Sequence, residues 1–455
     1  MNALHTRDRE TQPSPHAWFV LFLFTLSFAL SYVDRQVLTV LVEPIRHEFA
    51  LSDTQIGLLQ GLAFALFYTT AAVPLGWLVD NTNRIRVAAT CIAVWSVATA
   101  SCGVVTSYFQ LIFARAGTAA AEAGCSPAAL SVMADIFPAR LVPRASAIYL
   151  LAPYVGGGIA LAAGSYLLQY FTTVGGLNLP FAGHFAPWQA VFVVIGLPGL
   201  LLSALMWLTI GEPVRIEGKG VAAADRAISF RETVRYIVKD SSYLVLYFSA
   251  FIFVLTTFFT LLSWFPTFVI REVGGAANAA SSGRILGGIF MIFGSLGTLA
   301  TSVITRHLAD DKVLPYVLRV MLIAVIVQIP LVIALSLTFS PFASYMLYAA
   351  EIFCISLLSA LMPIPMLQAS VPNRMRGKII GIFLLTVNLI GSSVGPALVG
   401  RLSDVFKSAP HPLATGLLIV LVFSTITAAL LLFLTLRRIS VQAVLPHLPS
   451  ASVSA

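Results

Sequence analysis

The side chains most able to do chemistry in this chain sit where charge is costly. Asp34 and Arg35 stand side by side in Ser31-Tyr32-Val33-Asp34-Arg35-Gln36, inside an apolar run from Ala17 to Val42. At about 1.5 Å per residue, such a run crosses a hydrocarbon core of roughly 30 Å. A charged residue at the centre of a membrane helix costs roughly 2.5–3.5 kcal/mol on insertion scales. It is therefore kept where it faces protein or water, either as a functional group or as an ion pair that locks two helices. Neighbours on one helix point about 100° apart, so Asp34 and Arg35 reach toward partly different partners, which should lie on another helix. A later apolar run supplies them. Arg115 and Glu122 are seven residues apart, about 700° of rotation, and so point one way. Two carboxylates with two arginines sum to neutrality. A carboxylate that changes its solvation or its arginine partner between two states exchanges a proton, and that is a coupling mechanism in outline.

These groups need membrane helices to hold them, and the composition supplies little else. Of 455 residues, 58% are hydrophobic and 10% charged, with mean hydropathy +0.91. The apolar residues come in long blocks, so the chain reads as an all-α polytopic membrane protein. Residues 1–15 carry no apolar core and no small-residue cleavage site, so the first helix is expected to be retained. The net charge of +8 does not point to nucleic acid once it is read by position. Twelve spans can be placed at 17–42, 55–79, 87–106, 109–135, 145–171, 188–211, 243–270, 282–305, 314–338, 342–370, 379–402 and 412–436. With both termini on the cytoplasmic side, about 20 of the 27 basic residues fall in cytoplasmic segments and only Arg46, Arg271, Arg284, Arg401 and Lys407 outside. This predicts a multi-pass cell-membrane protein with both termini cytoplasmic.

The same partition gives a tail (1–16), a six-helix half (17–211), a basic linker (212–242), a second six-helix half (243–436) and a second tail (437–455). Within the linker, residues 228–239 space apolar and basic side chains as a helix lying on the membrane surface, or as a solvated connecting helix, would. The halves also repeat. Phe137-Pro138-Ala139-Arg140 leads into Ala147-Ile148-Tyr149-Leu150-Leu151, and 234 residues later Val371-Pro372-Asn373-Arg374 leads into Gly381-Ile382-Phe383-Leu384-Leu385. Repeated six-span halves are a transporter architecture, with the substrate site near the midplane between them.

Between spans two and three lies Gly76-Trp77-Leu78-Val79-Asp80-Asn81-Thr82-Asn83-Arg84-Ile85-Arg86. It resembles the G-x-x-x-D-x-x-x-R-x-R/K signature of the major facilitator superfamily, although Asn83 stands where that family usually has glycine. Arg306-His307-Leu308-Ala309-Asp310 resembles a degenerate second copy. Asp34-Arg35, Gly57-Leu58-Leu59-Gln60, Met375-Arg376-Gly377 and Asn388-Leu389-Ile390-Gly391 are similar to spinster-like transporters, a family that includes exporters of lysophospholipids and sphingosine phosphate. Organic-anion symporters share part of that pattern.

The resemblance implies twelve transmembrane helices in two pseudo-symmetric six-helix bundles, with spans one, four, seven and ten around a cavity. Asp34, Arg35, Arg115 and Glu122 are then expected to cluster in the first half as the proton-coupling and substrate group. Asp34 is expected to pair with an arginine in one state and lose it in another. Tyr32, Thr256, Thr260, Trp264 and Glu351 are expected along the cavity, Glu351 equally as a satisfied carboxyl near the outer end. Gly76, Asp80, Arg84 and Arg86 are expected at a cytoplasmic gate, where Asp80 accepts hydrogen bonds from a helix N-terminus or an arginine. Gly156-Gly157-Gly158 and Trp188 are expected to serve packing.

The function expected is proton-coupled secondary transport by alternating access, acting on an amphiphilic anionic lipid or else on a small organic anion such as a sugar acid. A membrane receptor or a polytopic enzyme are the readings from other classes. Against an enzyme, the seven histidines are scattered singly, no Walker loop is present, and nothing suggests a catalytic residue, metal site or cofactor. The four cysteines fall in or at the edges of apolar runs, without metal-ligand or secreted-framework spacing. The partners expected are the bilayer, the substrate and protons, with the chain acting as a monomer.

Overall fold

The computed structural model describes residues 13–138, 140–180, 183–215, 230–274, 279–305, 310–361 and 373–444. Twelve spans follow in chain order. Span one is Pro15–Glu48; span two is Asp53–Gln60 continued by Leu62–Asn81; span three is Arg84–Ser101; span four is Tyr108–Glu122 continued by Cys125–Ile136. Spans five and six are Val142–Val174 and Pro187–Thr209. Spans seven to twelve are Ser242–Arg271, Ala279–Thr305, Asp310–Leu337, Pro341–Leu361, Asn373–Val405 and Pro412–Val444. Ten of them are long and apolar enough on their own to cross a membrane. Spans three and four fall short for reasons the sequence shows: one opens on Arg84 and Arg86, and the other carries Arg115 and Glu122 and is broken after Ala123. Those two spans need protein around them, which is what a functional cluster requires.

One feature was not legible beforehand. A two-stranded antiparallel hairpin, Leu177–Leu179 against Gly183–Phe185, joins spans five and six. The linker helix expected over 228–239 runs through Phe230–Arg235 and passes into a π-type turn over Tyr236–Asp240. The second copy of the gate signature lies mostly outside the described residues, since 306–309 are not among them.

The halves meet along two seams, span two against span eleven and span five against span eight. Small residues set the spacing, as they do where membrane helices approach closely. A Cβ on Gly158 would lie 2.6 Å from the Gly287 carbonyl oxygen, and one on Gly57 would collide with the Pro396 carbonyl. Gly157 and Gly158 of span five therefore serve packing between halves, against Phe290 and Gly287 of span eight, while Gly156 packs against Ala29 of span one in its own half.

Polar contacts concentrate at the end of these seams remote from the termini. Arg271 at the end of span seven donates from Nε to Glu43 of span one at 3.0 Å and from Nη1 to Asp53 of span two at 2.7 Å. Asp53 also accepts from Ser403 Oγ at 2.7 Å. The carboxylate of Asp404, at the end of span eleven, accepts from the backbone N–H groups of Asp53 at 3.0 Å and Thr54 at 2.8 Å. It thus caps span two across the seam, beside the capping box that Ser52 and Gln55 form within one half. A carboxylate at a helix N-terminus also meets the positive end of the helix dipole.

Losing such a cap costs about 0.5–2 kcal/mol. Asp404→Ala should therefore move the population about fivefold toward a form parted at this end, read as a longer distance between nitroxide labels at His47 and Lys407, one on each half. An unchanged distance distribution would show that the cap does not help hold the halves together.

Candidate functional site

Spans one and four bring Asp34, Arg35, Arg115 and Glu122 together, in the arrangement in which no arginine pairs with the Asp34 carboxyl. Arg35 Nε donates to Glu122 Oε2 at 2.6 Å, with the Glu122 side chain 1% exposed. Arg115, 2% exposed, donates from Nη1 to the backbone carbonyl of Asp34 at 2.9 Å. The Asp34 carboxyl is buried beside Thr99 of span three and, among the described residues, forms no ion pair. The expected arginine partner of Asp34 is thus not engaged in this state. Arg35 leaves span one in a different direction and is taken by Glu122, while the donor from Arg115 goes to the main chain.

The second span supplies a part of the site that the charge pattern did not reveal. The Arg35 guanidinium carbon lies 4.4 Å from the ring centre of Phe64, 4.8 Å from Tyr68 and 5.2 Å from Tyr32. Arg115 lies 5.5 Å from Phe64. Each ring face attracts a cation, more strongly where water is excluded. Phe64 and Tyr68 are four residues apart and share a helix face. That spacing was visible in the sequence, but nothing there says which neighbour the face meets.

Around this cluster lies a cavity of about 700 Å³ between the halves. Its first-half wall includes Tyr32, Arg35, Gln60, Phe64, Tyr68 and Arg115. Its second-half wall has Leu255, Phe258, Phe259 and Leu384 among hydroxyl and amide groups such as Thr298, Ser359 and Asn388, with no charged residue among the described residues. One wall therefore carries the positive groups and the other is apolar and hydroxyl-bearing. Arg35 is already engaged by Glu122, whereas Arg115 Nε is buried without a hydrogen-bond partner. Since a guanidinium has five N–H donors, Arg115 has capacity left for an anion.

Of the residues expected along the cavity, Tyr32 lines it, and Thr256, Thr260, Trp264 and Glu351 do not. Span seven is rotated so that Ser263 reaches the cavity while Thr256, Thr260 and Trp264 face its own bundle. Thr256 Oγ1 back-bonds to the Ile252 carbonyl at 2.8 Å, Thr260 packs at Gly395, and Trp264 Nε1 donates to the Pro396 carbonyl at 2.9 Å. Glu351 is fully buried and accepts from Gln328 Nε2 of span nine at 2.9 Å, which makes it an internal group of the second half.

At the terminus-bearing end the signature residues divide. Arg84, 1% exposed, donates from Nε to Glu212 at 2.7 Å and from Nη1 to Ser131 at 3.0 Å, and it also pairs with Asp135. It ties the ends of spans three, four and six within one half. Gly76 has open space around its Cα. The carboxylate of Asp80 is exposed and, among the described residues, takes no partner, while its carbonyl accepts from Arg215. Arg86 is exposed, with its guanidinium 5.7 Å from the ring of Trp207. Trp188 does more than fill space, since its indole N–H donates to Glu48 and joins spans one and six.

Comparison with known proteins agrees with this architecture. The family model described as Major Facilitator Superfamily matches residues 24–396. The chain is 28% identical over 405 residues to an MFS-type efflux pump of Mycolicibacterium smegmatis, covering 88% of each chain. It is 25% identical over 307 residues to the probable galactarate/D-glucarate transporter GudP of Bacillus subtilis, covering 60% of this chain and 64% of that one. Among solved structures it resembles a bacterial homolog of the human lysosomal transporter Spinster, in an inward-facing and unoccupied conformation. That match has a TM-score of 0.71 and 27% identity over 94% of this chain and 96% of the other.

Breaking a buried ion pair from one side leaves an uncompensated charge and typically costs 3–5 kcal/mol. Arg35→Gln should therefore lower the thermal unfolding midpoint by several degrees, and adding Glu122→Gln should restore most of the loss. A double variant no more stable than Arg35→Gln would show that the pair is not the reason for the burial. At the other end, Arg84→Ala should lower the midpoint and Asp80→Ala should leave it within a degree or so, because only Arg84 is buried among partners here. Equal losses in the two variants would contradict that division.

Proposed function

Because the chain belongs to the major facilitator superfamily, we propose that it is a proton-coupled secondary transporter working by alternating access, with an amphiphilic anion as substrate. The observation that carries this reading is the division of the cavity. Arg115 offers unpartnered donors under Phe64 on one wall, and Leu255, Phe258, Phe259 and Leu384 face it from the uncharged other. An anionic head held at Arg115 with an apolar tail against the second half satisfies both walls, as a lysophospholipid or sphingosine-phosphate-like molecule would. The resemblance of the sequence to spinster-like transporters, a family that includes exporters of lysophospholipids, supports the lipid class.

A second reading has its own support. Thr298, Ser359 and Asn388 give the second-half wall hydrogen-bonding groups, and one relative is a probable galactarate/D-glucarate transporter. A sugar acid would use Arg115 for its carboxylate and those groups for its hydroxyls.

In the proposed cycle Asp34 carries the proton. It is the buried carboxyl in spans one and four that no arginine holds in this state, and it adjoins Arg115. When an anionic substrate draws Arg115 away from the Asp34 main chain, the field at the Asp34 carboxyl changes with it, and substrate and proton become linked. Glu122 keeps Arg35 in place. The two ends of the seam between spans two and eleven then alternate. Asp404 caps span two when the remote end is shut, and Asp80, at the opposite end of span two, is placed to cap span eleven when the terminus-bearing end shuts. We place the termini on the cytoplasmic side of the cell membrane and take the single chain as the working unit, with Gly76 allowing the close approach at the cytoplasmic gate and Arg84 and Arg86 flanking it.

Proteoliposomes with an imposed pH gradient test the whole reading. Asp34→Asn should lose gradient-driven flux while retaining substrate binding and exchange, and lysophospholipid should compete better than glucarate. Full gradient-driven flux in Asp34→Asn would remove it from coupling, and competition by glucarate alone would select the sugar-acid reading.

A further inference from the structure

A second cavity, of about 770 Å³, lies wholly within the first half and away from the charge cluster. Spans two, three and four line it with Ala71, Leu75, Leu78, Val94, Gly117 and Ala120, and the small residues of span four make the hollow. Its walls are apolar along their length, apart from Thr90 and Cys91, and its mouth, at the terminus-bearing end, is polar, with Thr82, Asn83 and Arg86. The neighbouring surface carries Val73, Trp77 and Val97, all well exposed, as side chains facing hydrocarbon are. Trp207, half exposed beside Arg86, marks the level where indole rings settle at a membrane interface.

Arg86 is the charged group that lines this groove. Arg84 is held by Asp135 and Glu212. Arg215 lies against the carbonyls of Val79, Asp80 and Thr82. Arg86 forms no ion pair among the described residues and stands beside Trp207 at the mouth. An open apolar groove between membrane helices, ending in an arginine that forms no ion pair at interface level, has the chemistry of a lipid site: chain below, phosphate above.

We propose that this groove binds an anionic glycerophospholipid of the leaflet on the terminus-bearing side, with one acyl chain between spans two, three and four and its phosphate at Arg86. The lipid is a standing component of the membrane and is distinct from whatever passes through the central cavity. The site adjoins the turn that carries Asp80, so lipid occupancy reports on, and restrains, the segment proposed above as the gate.

Photolabelling in nanodiscs tests this without reference to transport. The protein is embedded in phosphatidylcholine containing a trace of phosphatidylglycerol with a diazirine in its acyl chain, and labelled peptides are mapped. Label should concentrate in residues 71–94 and 117–121 and be displaced by unlabelled phosphatidylglycerol but not by added phosphatidylcholine. Arg86→Gln should reduce it about fivefold, as the loss of one juxtamembrane cation predicts. Ala120→Phe, which fills the slot and leaves the arginine, should also reduce it. Equal displacement by both lipids, or labelling that neither variant lowers, would overturn the proposal. Because the readout is binding of a defined lipid, failure here leaves the proposed transport reaction untouched.

Discussion

The ion pair between Arg35 and Glu122 is the constraint from which the site is built. Two opposite charges are buried between helices, so each must stay with the other or meet a large desolvation penalty. That fixes how span one faces span four and orients Arg35 among Tyr32, Phe64 and Tyr68. With Arg35 committed, the remaining acid and base are left with unequal roles. Arg115 rests on a main-chain carbonyl and keeps donors in reserve, and Asp34 has no arginine on its carboxyl. A neutral quartet has in this way been divided into a structural pair and a more weakly held one.

The two halves divide the work in the same spirit. The first contributes Asp34, Arg35, Arg115 and Glu122, and the second contributes a wall without charge among the described residues and keeps its own buried carboxyl, Glu351, on Gln328 through one oxygen. They meet along seams where glycine lets backbones touch. The end of those seams remote from the termini is set by polar contacts. Spans two and eleven run in opposite directions, and the C-terminal end of span eleven lies at the N-terminal end of span two. Asp404 uses that geometry at the remote end. Asp80 occupies the equivalent place at the other end of span two, with its carboxylate exposed here.

The amino-acid sequence by itself determined the number and class of the elements. Long apolar runs can satisfy their backbone polar groups in a bilayer only as helices, and basic residues between them mark the connections. The seven-residue spacing of Arg115 and Glu122 also sufficed to put both on one face toward span one, because helical rotation is a local property. Pairing is not local. Whether Glu122 takes Arg35 or Arg115 depends on the rotation and height of two helices that the chain separates by 87 residues. Thr256, Thr260 and Trp264 were misplaced for the same reason. Periodicity says that span seven has a polar stripe, but the rotation that sends that stripe to the Pro396 region of span eleven is set by packing in the second half. Phe64 and Tyr68 were ordinary apolar-face residues in the sequence, and only the packing of span two over the arginines turned them into cation-binding rings. The remote seal of Arg271, Glu43, Asp53 and Asp404 was likewise hidden, since each charge sits at the end of a different helix and only their convergence in space makes them a closure.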